Sequence, residues 1–286
     1  MYYAMLFLSS FLFSSGFLCQ KLYRNNCRDG IKRTIYLVLF TSIITFVSMF
    51  FIGGMKLALT PFSFLMAVIY AINNFVSTYA GIKAFKYADL SLYSMFMMMG
   101  SIVIPSVFGL IFYNEQITWL KAAAFVLIFA SLYLNTAKSG GNTNKKASFY
   151  YLLVFTLNGT AGVISKIHQS MPEHNVPTES FLSLSAAIRM AVCIIIILII
   201  NQKDNTIVLT TKAVIYGFAS GLLNAVGNYF NLFVLIFIPI TEHSVITTGA
   251  TLIFSAILGL LFKEKITKRT AAALLLALGA TVLSAL

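Results

Sequence analysis

Ten predominantly apolar stretches, separated by short polar links, account for almost the whole chain. They run roughly over 2–23, 34–53, 61–82, 88–113, 117–137, 148–168, 179–201, 211–238, 240–262 and 267–286. A helix rising ~1.5 Å per residue needs about 20 such residues to cross a bilayer, and each stretch meets that length. The third and fourth are divided only by a link crowded with Lys83, Lys86 and Asp89. Backbone amides facing lipid must be satisfied within their own segment, which leaves helices or a closed barrel. The stretches are much longer than barrel strands and lack their alternation. Apolar residues make up 59% of the chain and charged residues 10%, against about 25% charged in a soluble domain. The expected fold class is an all-α membrane protein, a single membrane domain over 1–286 with ten transmembrane helices and the lipid bilayer as its main partner.

The first stretch lacks a basic leader, and basic residues follow it instead of a small-residue cleavage site, so it is expected to be retained. Cys19, Cys27 and Cys193 have no metal or redox spacing and read as small apolar fillers. No cofactor or metal is expected.

The net charge of +12 is unevenly placed. Most of it lies in the odd-numbered links: Lys21, Arg24, Arg28, Lys32 and Arg33 in the first, Lys263, Lys265, Lys268 and Arg269 in the last, with smaller groups between. The even links hold only Lys56, Lys121 and Lys166. Positive residues stay cytoplasmic, so both termini are expected outside in a bacterial plasma membrane. A nucleic-acid partner is excluded, because the charges are scattered over short links with no domain to hold a groove.

The chain also repeats itself. Glu115-Gln116-Ile117-Thr118 returns 149 positions later as Glu264-Lys265-Ile266-Thr267. At that offset Gly100 meets Gly249, Ser106 meets Ser255 and Leu127 meets Leu276. A polar linker at 139–146 falls nearly midway. It divides the chain into a first repeat over 1–138 and a second over 147–286. Each holds five helices, an odd number, so the second must cross the membrane in the opposite sense. Inverted repeats of this kind mark many secondary transporters.

Polar stripes occur at equivalent places in both halves. The third helix carries Tyr70, Asn73, Asn74, Ser77 and Thr78, and the eighth carries Ser220, Asn224, Asn228 and Asn231, at helical spacing. An amide facing lipid costs roughly 2–7 kcal/mol, so both stripes must face a cavity or a neighbouring helix. Tyr93 and Met97 on the fourth helix and Thr247 on the ninth extend the stripes. The expected substrate-binding set is Tyr70, Asn74, Thr78, Tyr93, Met97, Asn224, Asn228 and Thr247, with Arg189. An arginine inside a span needs a partner or water, which a substrate carboxylate or backbone carbonyls would supply. Glu242 and His243 are the titratable neighbours at a helix start and the candidates for proton coupling. Glu115, Thr118, Glu264 and Thr267 are expected at structural helix junctions, because threonine caps helix starts and carboxylates suit their dipole.

The two Glu-x-Ile-Thr junctions, each placed between an apolar helix and an Ala-rich one, resemble the ten-helix EamA-type branch of the drug/metabolite transporter superfamily. The resemblance covers essentially the whole chain. It implies two pseudo-symmetric halves around a central cavity lined by helices 1, 3, 4, 6, 8 and 9. It also implies transport of metabolites or drugs, often outward. An arginine in the second helix of a repeat recurs in the family, and Arg189 fits. The first half has only Arg33, near the entrance of its second helix.

The expected function is a secondary transporter of a small neutral or zwitterionic, amino-acid-like metabolite or drug, working by alternating access. Amides, hydroxyls, aromatics and methionines suit such a cargo, and the scarcity of intramembrane carboxylates counts against a strongly cationic one. A gradient-driven facilitator or importer, and a non-transporting sensor, are the alternatives. An intramembrane enzyme is disfavoured, because no two of the eight acidic residues pair within a helix and no His-x-x-x-His occurs. The sequence leaves room for a homodimer.

Overall fold

The computed structural model describes residues 1–27, 31–87, 90–136, 145–171, 173–201, 209–261 and 268–285. They form ten helices: α1 (Tyr2–Asn25), α2 (Ile31–Ile52), α3 (Pro61–Tyr87), α4 (Leu90–Phe112), α5 (Trp119–Thr136), α6 (Lys145–Gln169), α7 (Thr178–Asn201), α8 (Thr211–Val234), α9 (Ile240–Leu261) and α10 (Lys268–Ala285). Among the described residues extended pairing is limited to an isolated bridge between Cys27 and Leu209. The expected all-α membrane architecture is thus what the chain forms. The helices diverge from the apolar stretches only at their ends. α3 runs on to Tyr87 through Lys83 and Lys86, α6 begins inside the polar linker at Lys145, and α8 stops at Val234, five residues before Pro239.

Local chemistry sets several starts. Thr60 Oγ1 accepts the Ser63 amide at 3.1 Å directly before Pro61, a residue suited to the first helical position. Thr118 accepts the Lys121 amide at 3.3 Å and Thr210 the Ala213 amide at 3.2 Å. Thr118 therefore caps α5. α4 ends where Asn114 takes a left-handed φ of 50°, which turns the chain so that the Glu115 amide returns to the Gly109 carbonyl at 3.2 Å.

Among the described residues four helices are long and apolar enough by themselves to cross a membrane: Tyr2–Asn25, Lys32–Ile52, Thr178–Ile199 and Ile240–Leu260. Shorter apolar segments lie within α3, α4, α5 and α10. α6 and α8 are interrupted by polar residues such as Asn158, Thr160, Asn224, Asn228 and Asn231. Outward-facing side chains are apolar, as at Val126, Phe149, Leu198 and Leu275. Apolar exposure on this scale suits lipid and not water.

The packing follows a rule. α1 lies against α8 and α9, and α2 against α8. α6 lies against α3 and α4, and α7 against α3. Replacing each helix by the one five places on turns the first group into the second. α2 with α7 and α4 with α9 join the groups, with a smaller contact of α7 with α8, while α5 and α10 pack on each other and against α4 and α9; the α2–α7, α4–α9 and α5–α10 contacts each map onto themselves. The molecule is therefore built as two lobes, α1, α2, α8 and α9 in one and α3, α4, α6 and α7 in the other. Each lobe mixes helices from both sequence halves, so the halves interleave and do not form separate bodies.

Close approach within a lobe needs glycine. A Cβ on Gly100 would lie 2.1 Å from the Phe155 carbonyl oxygen, and one on Gly159 would lie 2.4 Å from the Gly100 oxygen. These two residues let the α4 and α6 backbones meet, as small residues do in membrane helix pairs.

Candidate functional site

A cavity of about 430 Å³ lies between the lobes, within the size range of small-molecule sites. Its walls come from α1, α3, α4, α6, α8 and α9. A second concavity of about 390 Å³ is a basic groove at the end of α1, lined by Lys21, Arg24, Asn25, Cys27 and Arg33. The inter-lobe cavity is the candidate site, because six helices converge on it in mid-span and its walls combine apolar surface with oriented polar groups.

Of the expected binding residues, Tyr70, Asn74, Met97, Asn224, Asn228 and Thr247 all line this cavity. The side chains of Thr78 and Tyr93 lie outside the described residues. Arg189 does not reach the cavity. It sits on α7, and the neighbours of its guanidinium are Tyr70 and Cys193. Arg189 is therefore not among the expected residues that the cavity brings together.

The polar stripe of α3 divides between wall and seam. Asn73 faces α6, where its Nδ2 donates to the Leu157 carbonyl at 2.8 Å and its Oδ1 accepts from Thr160 at 2.8 Å. Asn74 and Asn224 adopt one arrangement in the two halves. Each donates its amide nitrogen to the carbonyl four residues earlier, Tyr70 at 2.8 Å and Ser220 at 2.7 Å. The family resemblance implied the α6 wall, but sequence reasoning named no binding residue on it. Asn158 lines the cavity and donates to the Met97 carbonyl at 2.7 Å. A solitary amide in an apolar helix is a signal, but without a stripe around it periodicity does not mark it. Phe13, Phe17, Ser101, Ser165 and Thr251 also line the cavity and were likewise not singled out.

The two coupling candidates separate. His243 lines the cavity, with Nε2 3.0 Å from the Asn231 carbonyl. A carbonyl can only accept, so Nε2 carries the proton and Nδ1 is the acceptor of the neutral ring. Glu242 turns away to the end of the bundle that carries the termini. There it accepts from the Tyr3 hydroxyl and lies 3.6 Å from Lys121.

At that end hydrogen bonds join the two lobes. Glu115, just after α4, accepts the amides of Ile240 at 2.8 Å and Thr241 at 3.1 Å. It therefore caps α9, a helix of the other lobe, and not the helix that follows it in sequence. The α9 start follows Pro239, and the Glu115 carboxylate satisfies orphan donors at its positive helix end. Beside it, Lys166 on α6 donates to the Leu235 carbonyl at 2.8 Å. Its ammonium lies 5.5 Å from the centre of the Tyr113 ring, within cation–π range. The second junction, Glu264 and Thr267, lies outside the described residues.

These features define a multi-pass membrane transporter. Residues 145–286 match the EamA-like transporter family. A solved crystal structure superposes with a TM-score of 0.76, covering 100% of this chain and 98% of its own, at 15% sequence identity; that likeness speaks to the fold alone. No curated protein matches the sequence.

Proposed function

We propose that the chain is a secondary transporter that moves a small neutral or zwitterionic molecule across a bacterial inner membrane by alternating access, in the outward direction. The observation that carries this reading is the inter-lobe cavity, in which Asn74 and Asn224 present equivalent amides from α3 and α8. The exchange of helix contacts between lobes supports an inverted repeat of five helices, and the basic first link supports termini outside. The contacts of Glu115 and Lys166 between the lobes support a state closed on the termini side. Movement then requires the lobes to part there, releasing the α8–α9 turn while they close at the other end. The moving bodies are the mixed lobes, not the sequence halves.

The test is flux in proteoliposomes. Asn74→Leu and Asn224→Leu should each abolish substrate-dependent flux while the protein still inserts and migrates as a monodisperse species in detergent. Normal flux by both variants would sink the site. A facilitator is the second reading, because the lining among the described residues contains no carboxylate and Glu242 is engaged elsewhere. Flux that continues unchanged when the proton gradient is collapsed supports the facilitator over the antiporter.

A further inference from the structure

The second concavity, at the end of the bundle away from the termini, gathers cations. Lys21, Arg24 and Asn25 stand at i, i+3 and i+4 on α1 and so share one face of that helix. All three are exposed. Arg33, half-buried near the start of α2, and Cys27 complete a groove of about 390 Å³ with them.

Buried contacts give the groove its shape. Tyr23, fully buried, donates its hydroxyl to the Arg33 carbonyl at 2.8 Å, which ties the start of α2 to the end of α1. Thr210, the cap of α8, donates its hydroxyl to the Asn26 carbonyl at 3.0 Å, and Cys27 bridges to Leu209. The α1–α2 and α7–α8 links are therefore joined here. Helices α1, α2 and α8 belong to one lobe, so the groove lies within a moving body and not between two.

Charge on these links is one-sided. Over residues 21–33 and 202–212 the sequence has seven Lys and Arg against two Asp. Lys21, Arg24 and Arg33 also interact within the protein. A guanidinium with five N–H groups, or an ammonium with three, can serve such a partner and a phosphate together. The corresponding turn five helices on, between α6 and α7, has no Lys or Arg over residues 170–177. The groove is a property of the first hairpin, not of the repeat.

Depth narrows the choice of ligand. α1 has 24 residues, roughly 36 Å at helical rise, against about 30 Å of hydrocarbon. A helix that starts at Tyr2 on one side brings Lys21, Arg24 and Asn25 to the headgroup layer of the other. The charge asymmetry makes that the cytoplasmic leaflet, whose anionic lipids draw basic segments and fill basic pockets between helices. Arginine also grips phosphate through two parallel N–H bonds. We infer that Lys21, Arg24, Asn25 and Arg33 hold the phosphate of an anionic phospholipid headgroup at a fixed site on this lobe. Such a site needs the membrane architecture but not transport.

Native mass spectrometry of the purified full chain in a neutral detergent reads lipid occupancy directly. Phosphatidylglycerol should bind. Phosphatidylcholine, which has the same phosphate but no net charge, should bind at least about tenfold more weakly, and inorganic phosphate should not displace the lipid. Arg24→Gln with Arg33→Gln should weaken phosphatidylglycerol about tenfold or more. Lys21→Gln alone should weaken it about threefold or more, and decides if the double variant fails to fold. Lys268→Gln with Arg269→Gln removes two exposed cations at the start of α10, on the same side of the bundle but outside the groove, and should leave binding within about twofold. Four outcomes overturn the inference. They are no binding of phosphatidylglycerol, equal binding of the two lipids, displacement by inorganic phosphate, and equal losses in the α10 and groove variants. The second would assign binding to the acyl chains, the third to a free-anion site and the fourth to the general charge of that face. None of these readouts involves flux, so the transporter reading is decided separately.

Discussion

Two adjacent asparagines on α3 have opposite fates. Asn73 is 7% exposed and ties α3 to α6 through two hydrogen bonds, whereas Asn74 lines the cavity. Asn73→Leu removes the partner of Thr160 and of the Leu157 carbonyl, and an orphaned buried polar group costs about 1–3 kcal/mol. The expected outcome is a melting temperature several degrees lower in detergent, with the substrate affinity of the surviving protein unchanged. Arg189 gives the converse contrast at residue scale. Arg189→Gln should leave the KM for flux within about twofold, because Arg189 is not among the residues lining the cavity. A KM raised tenfold or more would return Arg189 to the binding site. The sequence placed both asparagines and the arginine on polar positions inside spans. It could not sort them, because rotation about a helix axis by one residue decides between seam and wall, and that rotation is set by tertiary packing.

At the scale of helices, the starts capped by Thr60, Thr118 and Thr210 follow from local sequence, whereas the glycine crossing of α4 and α6 shows only in the packing. A methyl group at Gly100 would press on the Phe155 backbone, which cannot yield like a flexible side chain. Gly100→Ala should cost about 1–3 kcal/mol of stability, as overpacking does, read as a fall in melting temperature. The role of Glu115 was only half legible. Its spacing from Thr118 marks a helix junction, and Thr118 does cap α5, but the carboxylate reaches a helix start 125 positions away. No local pattern encodes a cap supplied by another lobe. If that contact latches the closed state, Glu115→Gln keeps one acceptor and loses the charge, and charge-assisted hydrogen bonds are roughly twice as strong as neutral ones. The termini-side end should then open more often. A cysteine at Ser244, which lines the cavity, should react faster with a membrane-impermeant thiol reagent applied from that side, in a background with Cys19, Cys27 and Cys193 replaced. An unchanged rate would leave Glu115 as a helix cap without a gating role.

For the molecule as a whole, the sequence repeat invites a picture in which the first half rocks against the second, and the helix contacts argue for a different pair of bodies. Two cysteine pairs separate the pictures. Ser14 on α1 and Ser255 on α9 have hydroxyl oxygens 3.1 Å apart, and both belong to one lobe although they come from different halves. Ser101 on α4 and Thr248 on α9 approach to 3.5 Å, and they belong to different lobes as well as different halves. Side chains this close suit the ~3.8 Å Cβ separation of a disulfide. If the mixed lobes move as units, oxidising Ser14→Cys/Ser255→Cys in a cysteine-free background leaves flux running, while oxidising Ser101→Cys/Thr248→Cys stops it until a reductant is added. If the halves were the moving bodies, both bridges would span the moving interface and both would arrest flux. The first pair therefore decides, because the two pictures assign it opposite outcomes. The seam it probes is held by Ser14 donating to the Thr251 carbonyl at 3.0 Å and Ser10 to the Thr247 carbonyl at 3.3 Å, polar contacts between α1 and α9 that a sliding interface would have to break on every cycle.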